Sequence, residues 1–282
     1  PYTYQFSKKS VVFTNHYSGG NSTRAGVFSL FYGLPATYWT AMYDNHAQPV
    51  LIDELMRNHY QMLIHASAPI DLPEFNKTVF ARVKDLQLKT PGSNPKEKDI
   101  QITNYFLQFL KKRDKNKPFF SYLFYDSAHS YCTFPLTDKP FSPVVNVCNR
   151  TQASNMKDVS GYLNRYKNSL YFLDGQINRI IKQLNNQGLL KNTVIVISGD
   201  HGEEFNDSQI GYLGHASNFT RYQVQTPLIF YAPSENPRQI KFLTSHYDIA
   251  PTLMQKLFNC QNSNSDYSLG YGLFNPQLRS FL

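Results

Sequence analysis

Short apolar runs that stop abruptly at glycine, aspartate or histidine constrain this chain more than any other feature. Residues 10–15 (SVVFTN) lead into His16-Tyr17-Ser18-Gly19-Gly20, and residues 118–125 (PFFSYLFY) into Asp126-Ser127-Ala128-His129. Residues 193–198 (TVIVIS) lead into Gly199-Asp200-His201-Gly202. Runs rich in β-branched and aromatic residues between turn formers read as strands. The 118–125 run, apolar on both faces, reads as a strand buried on both sides, and 193–198 as a central strand. Residues 60–66 and 227–231 complete the strand pattern. Between these runs the spacing turns helical: 23–32, 50–59, 97–112 with Ile102, Phe106, Phe109 and Leu110 on one stripe, and 250–258 with Pro251 near its first turn. A long helix is expected over 157–187, with Tyr162, Tyr166, Leu170, Leu173, Ile177, Ile181 and Leu184 as its core stripe and Gly188 as its cap. Alternating strands and helices predict an α/β fold, a central and mostly parallel sheet with helices on both faces. Residues 69–95 read as irregular and 262–282 carry no periodicity. No repeat or linker divides the chain, so one domain over 1–282 is expected.

Composition narrows the classes. Of 282 residues, 42 are Phe, Tyr or Trp, which excludes a disordered segment. No apolar run approaches the roughly 18 residues of a membrane span, and the start does not read as a signal peptide. Any anchor or export signal is expected outside this stretch. Lys and Arg number 28 against 20 Asp and Glu, a net charge of +8. Nucleic acid is the reflex reading of such a surplus, but the basic residues are scattered and no basic–aromatic strand pattern supports it. The one dense run, Lys111-Lys112-Arg113 with Lys115 and Lys117, ends a helix and complements its dipole. A basic face toward anionic lipid headgroups is the alternative.

Cys132, Cys148 and Cys260 are too few and too far apart for a zinc site. Cys132 and Cys148 bracket a proline-rich loop and could pair if the compartment is oxidising, which would leave Cys260 over. Asn-x-Ser/Thr sequons begin at Asn21, Asn76, Asn149, Asn206 and Asn218. The first and last fall where the chemistry collects, so a host without that glycosylation, a bacterium, is expected.

Ligands of open α/β sheets bind beyond the carboxyl ends of the strands, which is where the ionisable residues gather. Asp200 and His201 put a carboxylate oxygen beside an imidazole nitrogen, a pairing suited to zinc, manganese or magnesium. The plainer alternative makes Asp200 a turn cap and His201 a loop histidine. Ser22 and Thr23 open a helix after two glycines, where backbone amides favour an anion; a hydroxyl there also serves as an N-cap. As a nucleophile Thr23 would need a base or a metal, and Arg24 could neutralise anionic oxygens. His129 and His215 could hold a phosphate oxygen or protonate a leaving group. His16, His46, His59, His65 and His246 read as structural.

Taken together, Gly199-Asp200-His201-Gly202-Glu203, Gly214-His215, Ser245-His246-Tyr247-Asp248-Ile249-Ala250-Pro251-Thr252-Leu253 and Pro118-Phe119-Phe120 leading to His129 resemble the sulfatase branch of the alkaline phosphatase superfamily, over about residues 13–273. The front motif is most similar to the membrane-anchored branch of lipoteichoic acid synthases and lipid A phosphoethanolamine transferases. That resemblance implies a threonine nucleophile at Thr23, substrate contacts from Arg24, His129 and His215, and a divalent metal on Thr23, Asp200 and His201. True sulfatases carry a Cys/Ser-x-Pro-x-Arg motif; Asn21-Ser22-Thr23-Arg24 departs from it, which disfavours sulfate-ester hydrolysis. The family's first metal ligand, an acidic residue ending a strand, is expected upstream of this stretch and its last strands downstream. Residues 18–33 (SGGNSTRAGVFSLFYG) and 265–270 (SDYSLG) look like the periplasmic domain of the YejM/PbgA family of Gram-negative inner-membrane proteins. This implies a periplasmic domain concerned with lipopolysaccharide homeostasis, with lipid A, cardiolipin and a regulatory inner-membrane protein as partners. Two functions are then in play: a metal-dependent phosphoester hydrolase or transferase, or a lipid-sensing domain on a retired enzyme fold.

Overall fold

The computed structural model describes residues 1–137, 139–150 and 158–276. In chain order it forms α1 (Tyr2–Ser7), β1 (Val11–Phe13), β2 (His16–Tyr17), α2 (Thr23–Tyr32), α3 (Trp39–Asp44), α4 (Val50–Arg57), β3 (Gln61–Ala66), α5 (Pro95–Lys112) and β4 (Phe119–Phe124). There follow α6 (Ser160–Asn186), β5 (Ile195–Ser198), β6 (Glu204–Phe205), β7 (Leu213–Gly214), α7 (Arg221–Val224), β8 (Leu228–Tyr231), β9 (Arg238–Ile240), β10 (Thr244–Ser245) and α8 (Ile249–Phe258). None of the described helices is long and apolar enough to cross a membrane.

The fold is α/β, with mixed strand directions. Four strands lie in the order β5-β8-β1-β9; β8 runs antiparallel to both neighbours, while β1 and β9 are parallel. Strands β3 and β4 pair in parallel from Gln61↔Phe119 to Ala66↔Phe124, and β2 pairs in parallel with β10. The main core joins Val11 and Phe13 of β1 to Phe28 and Phe31 of α2, Leu51 and Ile52 of α4, Phe230 of β8 and Ile249 of α8. Helix α5 shows how local sequence sets its bounds. The Asn94 side chain accepts from the Glu97 amide at 3.0 Å, Pro95 opens the first turn, and Lys111 and Lys112 close the last, as capping and the dipole favour.

Two strand expectations change. β4 is half-buried along its whole length, and β5 lies at the end of its sheet rather than in the middle. Among the described residues no ladder joins β4 to β5, so each keeps an unpaired edge, and a strand is covered only where a neighbour pairs.

The long helix also differs from its expected stripe. Tyr162, Leu173 and Leu184 are buried, but Leu170 is 41% exposed and Arg165, Asn168, Ser169 and Gln176 lie inside. The reason is backbone supply. Asn168 bonds both the amide and the carbonyl of Phe141 at 3.0 Å, and Arg165 donates to the Cys132 carbonyl. The segment around Phe141 is exposed on its outer side, and where it lies against α6 its peptide groups find their partners on the inner face of the helix. Lys157, the expected start, lies outside the described residues. Gly188 follows the helix with φ +66°, the left-handed conformation that glycine adopts without strain.

Candidate active site

The segment between β1 and α2 is folded onto the carboxyl end of β5. The Ser18 amide donates to the Val224 carbonyl at 2.7 Å, and its hydroxyl to the Asp200 carbonyl at 2.5 Å. Gly26, in the first turns of α2, sits so close that an added Cβ would stand 1.9 Å from the Asp200 carbonyl oxygen. Only a glycine lets the helix approach this far. Ser22 is the N-cap residue and is extended, but makes no side-chain capping bond. Thr23 Oγ1 reaches His201 Nε2 at 3.3 Å. A hydroxyl near the start of the chain and an acid–imidazole pair 178 positions further on thus meet in one cleft.

His201 Nδ1 is 2.8 Å from the Gly202 carbonyl, to which it must donate. That fixes the tautomer of the neutral ring and turns the Nε2 lone pair toward Thr23. Asp200 Oδ2 stands 3.5 Å from the same nitrogen and is buried without a hydrogen-bond partner among the described residues. A buried carboxylate oxygen without a donor is costly unless a cation meets it. The donor set is one carboxylate, one imidazole and one hydroxyl, and it fits a divalent metal.

Next to His201 lies a second group. The rings of His201 and His215 are 4.2 Å apart, and those of His215 and His129 are 5.1 Å apart. His215 Nδ1 donates to Glu203 Oε2 at 2.6 Å, and Arg150 approaches the other Glu203 oxygen at 3.7 Å. Arg150 also donates to the His129 carbonyl. Burial pushes the His129 imidazole below its usual range, against the opposing pull of Asp126. The Cys132–Cys148 disulfide ties the two chain segments that carry His129 and Arg150. Ligand atoms of His201, Glu203 and His215 also lie within 4.8 Å of one another, a second potential metal set that shares His201 with the first.

Of the residues the sequence singles out, Thr23, Asp200 and His201 cluster, and His215 and His129 line up behind them. Arg24 does not join them: it pairs with Glu74 at 3.0 Å and lies over the Trp39 ring at 5.0 Å. His16 and His246, read as structural, are fully buried. Sequence reading missed Glu203 and Arg150 as site residues. Glu203 stood two positions after His201, inside the motif; Arg150 carried no signal, because a disulfide loop delivers it.

Comparisons with known proteins bear on the family and the fold. The Sulfatase family model matches residues 1–258. An uncharacterized protein of Haemophilus influenzae is 30% identical over 270 residues, covering 96% of this chain and 39% of the relative. The inner membrane protein YejM of Salmonella typhimurium is 23% identical over 270 residues, covering 95% of this chain and 40% of YejM. The chain thus spans about two fifths of the length of these curated relatives. The C-terminal periplasmic domain of the phosphoethanolamine transferase EptC from Campylobacter jejuni has the same fold, with a TM-score of 0.72 at 19% identity over 93% of this chain and 81% of that one. The chain, with its helix-borne threonine set against an aspartate–histidine pair, belongs to the sulfatase family of the alkaline phosphatase superfamily.

Proposed function

We propose that this chain is the periplasmic catalytic domain of a Gram-negative inner-membrane protein, a metal-dependent phosphoester hydrolase or transferase acting on envelope lipids. The observation that carries this reading is the approach of Thr23 Oγ1 to His201 Nε2 beside the partnerless oxygen of Asp200. Manganese, magnesium or zinc held by Thr23, Asp200 and His201 would lower the pKa of the hydroxyl and offset charge on the phosphoryl group. Three protein groups make a thin shell. The family resemblance implies a further acidic ligand.

In the reaction, Thr23 Oγ gives up its proton to solvent and bonds to phosphorus while the ester P–O bond opposite breaks. His215, its ring fixed by Glu203, passes a proton to the leaving alkoxide. His129, kept neutral by burial, hydrogen-bonds a phosphoryl oxygen. Water or an acceptor hydroxyl then attacks phosphorus, loses its proton and releases Thr23, which is reprotonated. Arg24, held by Glu74 and Trp39, meets only parts of a substrate beyond the reacting group.

That outward turn of Arg24 favours a second reading, in which the cleft binds lipid A or cardiolipin headgroups without turnover and signals to a regulatory inner-membrane partner. One assay separates the two. With manganese, magnesium or zinc supplied, bis(p-nitrophenyl) phosphate should be hydrolysed, and Thr23→Ala should lose about a thousandfold in kcat. Turnover that survives in Thr23→Ala overturns the nucleophile. No turnover with any of the metals, together with saturable binding to vesicles containing lipid A or cardiolipin, selects the second reading.

A further inference from the structure

Beside Glu203, which serves His215, stands a second glutamate with a different set of partners. Glu204 is fully buried, and none of its contacts reaches the reacting groups directly. Its Oε1 accepts from the amide of Ser208 at 3.2 Å and from the Ser208 hydroxyl. Its Oε2 accepts from the side-chain amides of Gln223 at 2.8 Å and Asn218 at 3.0 Å. Burial alone would raise its carboxyl, but these hydrogen bonds outweigh it and hold the group below the usual glutamate range.

The partners lead to the site. Gln223 Oε1 accepts from the amides of Ser217 and Asn218 at 3.1 and 3.3 Å, and the Gln223 carbonyl accepts from the amide of Gly202 at 2.8 Å. The Asn218 carbonyl accepts from the Asn21 side-chain amide at 2.9 Å, and the Asn21 carbonyl accepts from the Ala216 amide at 2.9 Å. Asn21 lies two residues before Thr23, Gly202 follows His201, and Ala216 follows His215. One carboxylate thus anchors a hydrogen-bond relay that reaches the three segments carrying Thr23, His201 and His215.

We propose that Glu204 is a positioning residue that, through Gln223, Asn218 and Asn21, sets the nucleophile loop of Thr23 against the segment of His201 and the loop of His215. A glutamine in its place would keep one acceptor oxygen and lose the charge, and charge-assisted hydrogen bonds are the strong ones. Outer partners of this kind typically contribute about 10- to 100-fold in activity. The Asn21 and Asn218 side-chain nitrogens, where a glycan would attach, are both donors in the relay.

The inference rests on the catalytic reading for its activity arm but not for its structural one. Threonine-methyl-labelled protein is compared as wild type, Glu204→Gln and Asn218→Ala, the last being a partly exposed site that removes one link of the relay and leaves the carboxylate. The Thr23 methyl resonance, which lies beside the His201 ring, should move in both variants. The kcat for bis(p-nitrophenyl) phosphate should fall about tenfold in Glu204→Gln with KM within about twofold. A moved methyl in protein that shows no turnover leaves the positioning role standing and removes the catalytic reading. An unmoved methyl in folded Asn218→Ala, or a lower melting temperature in Glu204→Gln with methyl and kcat both unchanged, overturns the positioning role.

Discussion

Two of the close histidine pairs among the described residues sit in contrasting surroundings. His16 and His246 face each other at 5.3 Å between ring centroids, His201 and His215 at 4.2 Å. In the first pair both rings are fully buried; His16 Nδ1 meets the Thr244 hydroxyl at 3.0 Å and His246 Nδ1 the Gly26 carbonyl at 3.1 Å. Burial drives His16 well below its usual range, helped by its neighbour, and takes His246 down to about 4. In the second pair each ring has a carboxylate within reach, Asp200 for His201 and Glu203 for His215. Ring proximity alone therefore says little. What differs is the direct contact: His201 and His215 each have a carboxylate oxygen within 3.5 Å, whereas His16 and His246 meet a hydroxyl and a backbone carbonyl.

The sharpest way to break the comparison is His201→Gln. It should cost about a thousandfold in turnover, roughly 4 kcal/mol of barrier, with a melting temperature near that of the wild type; a catalytically intact variant would make the two pairs equivalent.

Acid should act on the other pair. His16 and His246 have folded-state pKa values below the unfolded one, so the unfolded chain takes up protons first as pH drops. Their contribution is complete above about pH 6.5 and is lost as pH falls toward 4, about 3 kcal/mol from His246 alone. Asp99 opposes this. Burial lifts its carboxyl to about 6 against hydrogen bonds from Ser127, Ser67 and the Asp126 amide. Its share is present below about pH 3.8 and lost as pH rises through 6, so it offsets part of the acid effect. Urea titrations from pH 7 to 4.5 should show stability falling, and falling more steeply in Asp99→Asn. A flat profile in that variant would remove the two buried rings as the acid-labile element.

Glu203→Gln tests the carboxylate directly. It should lower turnover by about 10- to 100-fold while leaving stability within about 1 kcal/mol; larger destabilisation than rate loss would make His215 a packing residue like His16. The smallest effect belongs to Thr244→Val, which removes the hydroxyl partner of His16. Denaturation should report a loss of about 1 kcal/mol with unchanged turnover, and any rate change would show that the two pairs communicate.

The sequence reading went furthest where chemistry and periodicity coincide. The start of α2 at Thr23, the aspartate–histidine turn after β5 and the structural status of His16 and His246 were all readable, because turn formers, burial patterns and ligand types leave local marks. The phase of α6 was not. Leu170 fits an apolar stripe as well as Leu173 does, and only the need of the segment around Phe141 for hydrogen bonds turns the polar side of the helix inward. Nor was the place of β5 at a sheet end, since pairing depends on which strands are neighbours rather than on the run itself. Arg150 and the Glu204 relay were invisible for a related reason: their partners lie far off in sequence, and nothing local separates a buried carboxylate from an exposed one.

Gly26 gives the architecture an unforgiving joint. With the Asp200 carbonyl 1.9 Å from where any side chain would begin, the distance between nucleophile and acid is set by backbone against backbone, with no rotamer able to absorb an error. A saturation library at position 26 should therefore return the parental residue alone, and efforts to retune this cleft by redesign will have to start from its loops.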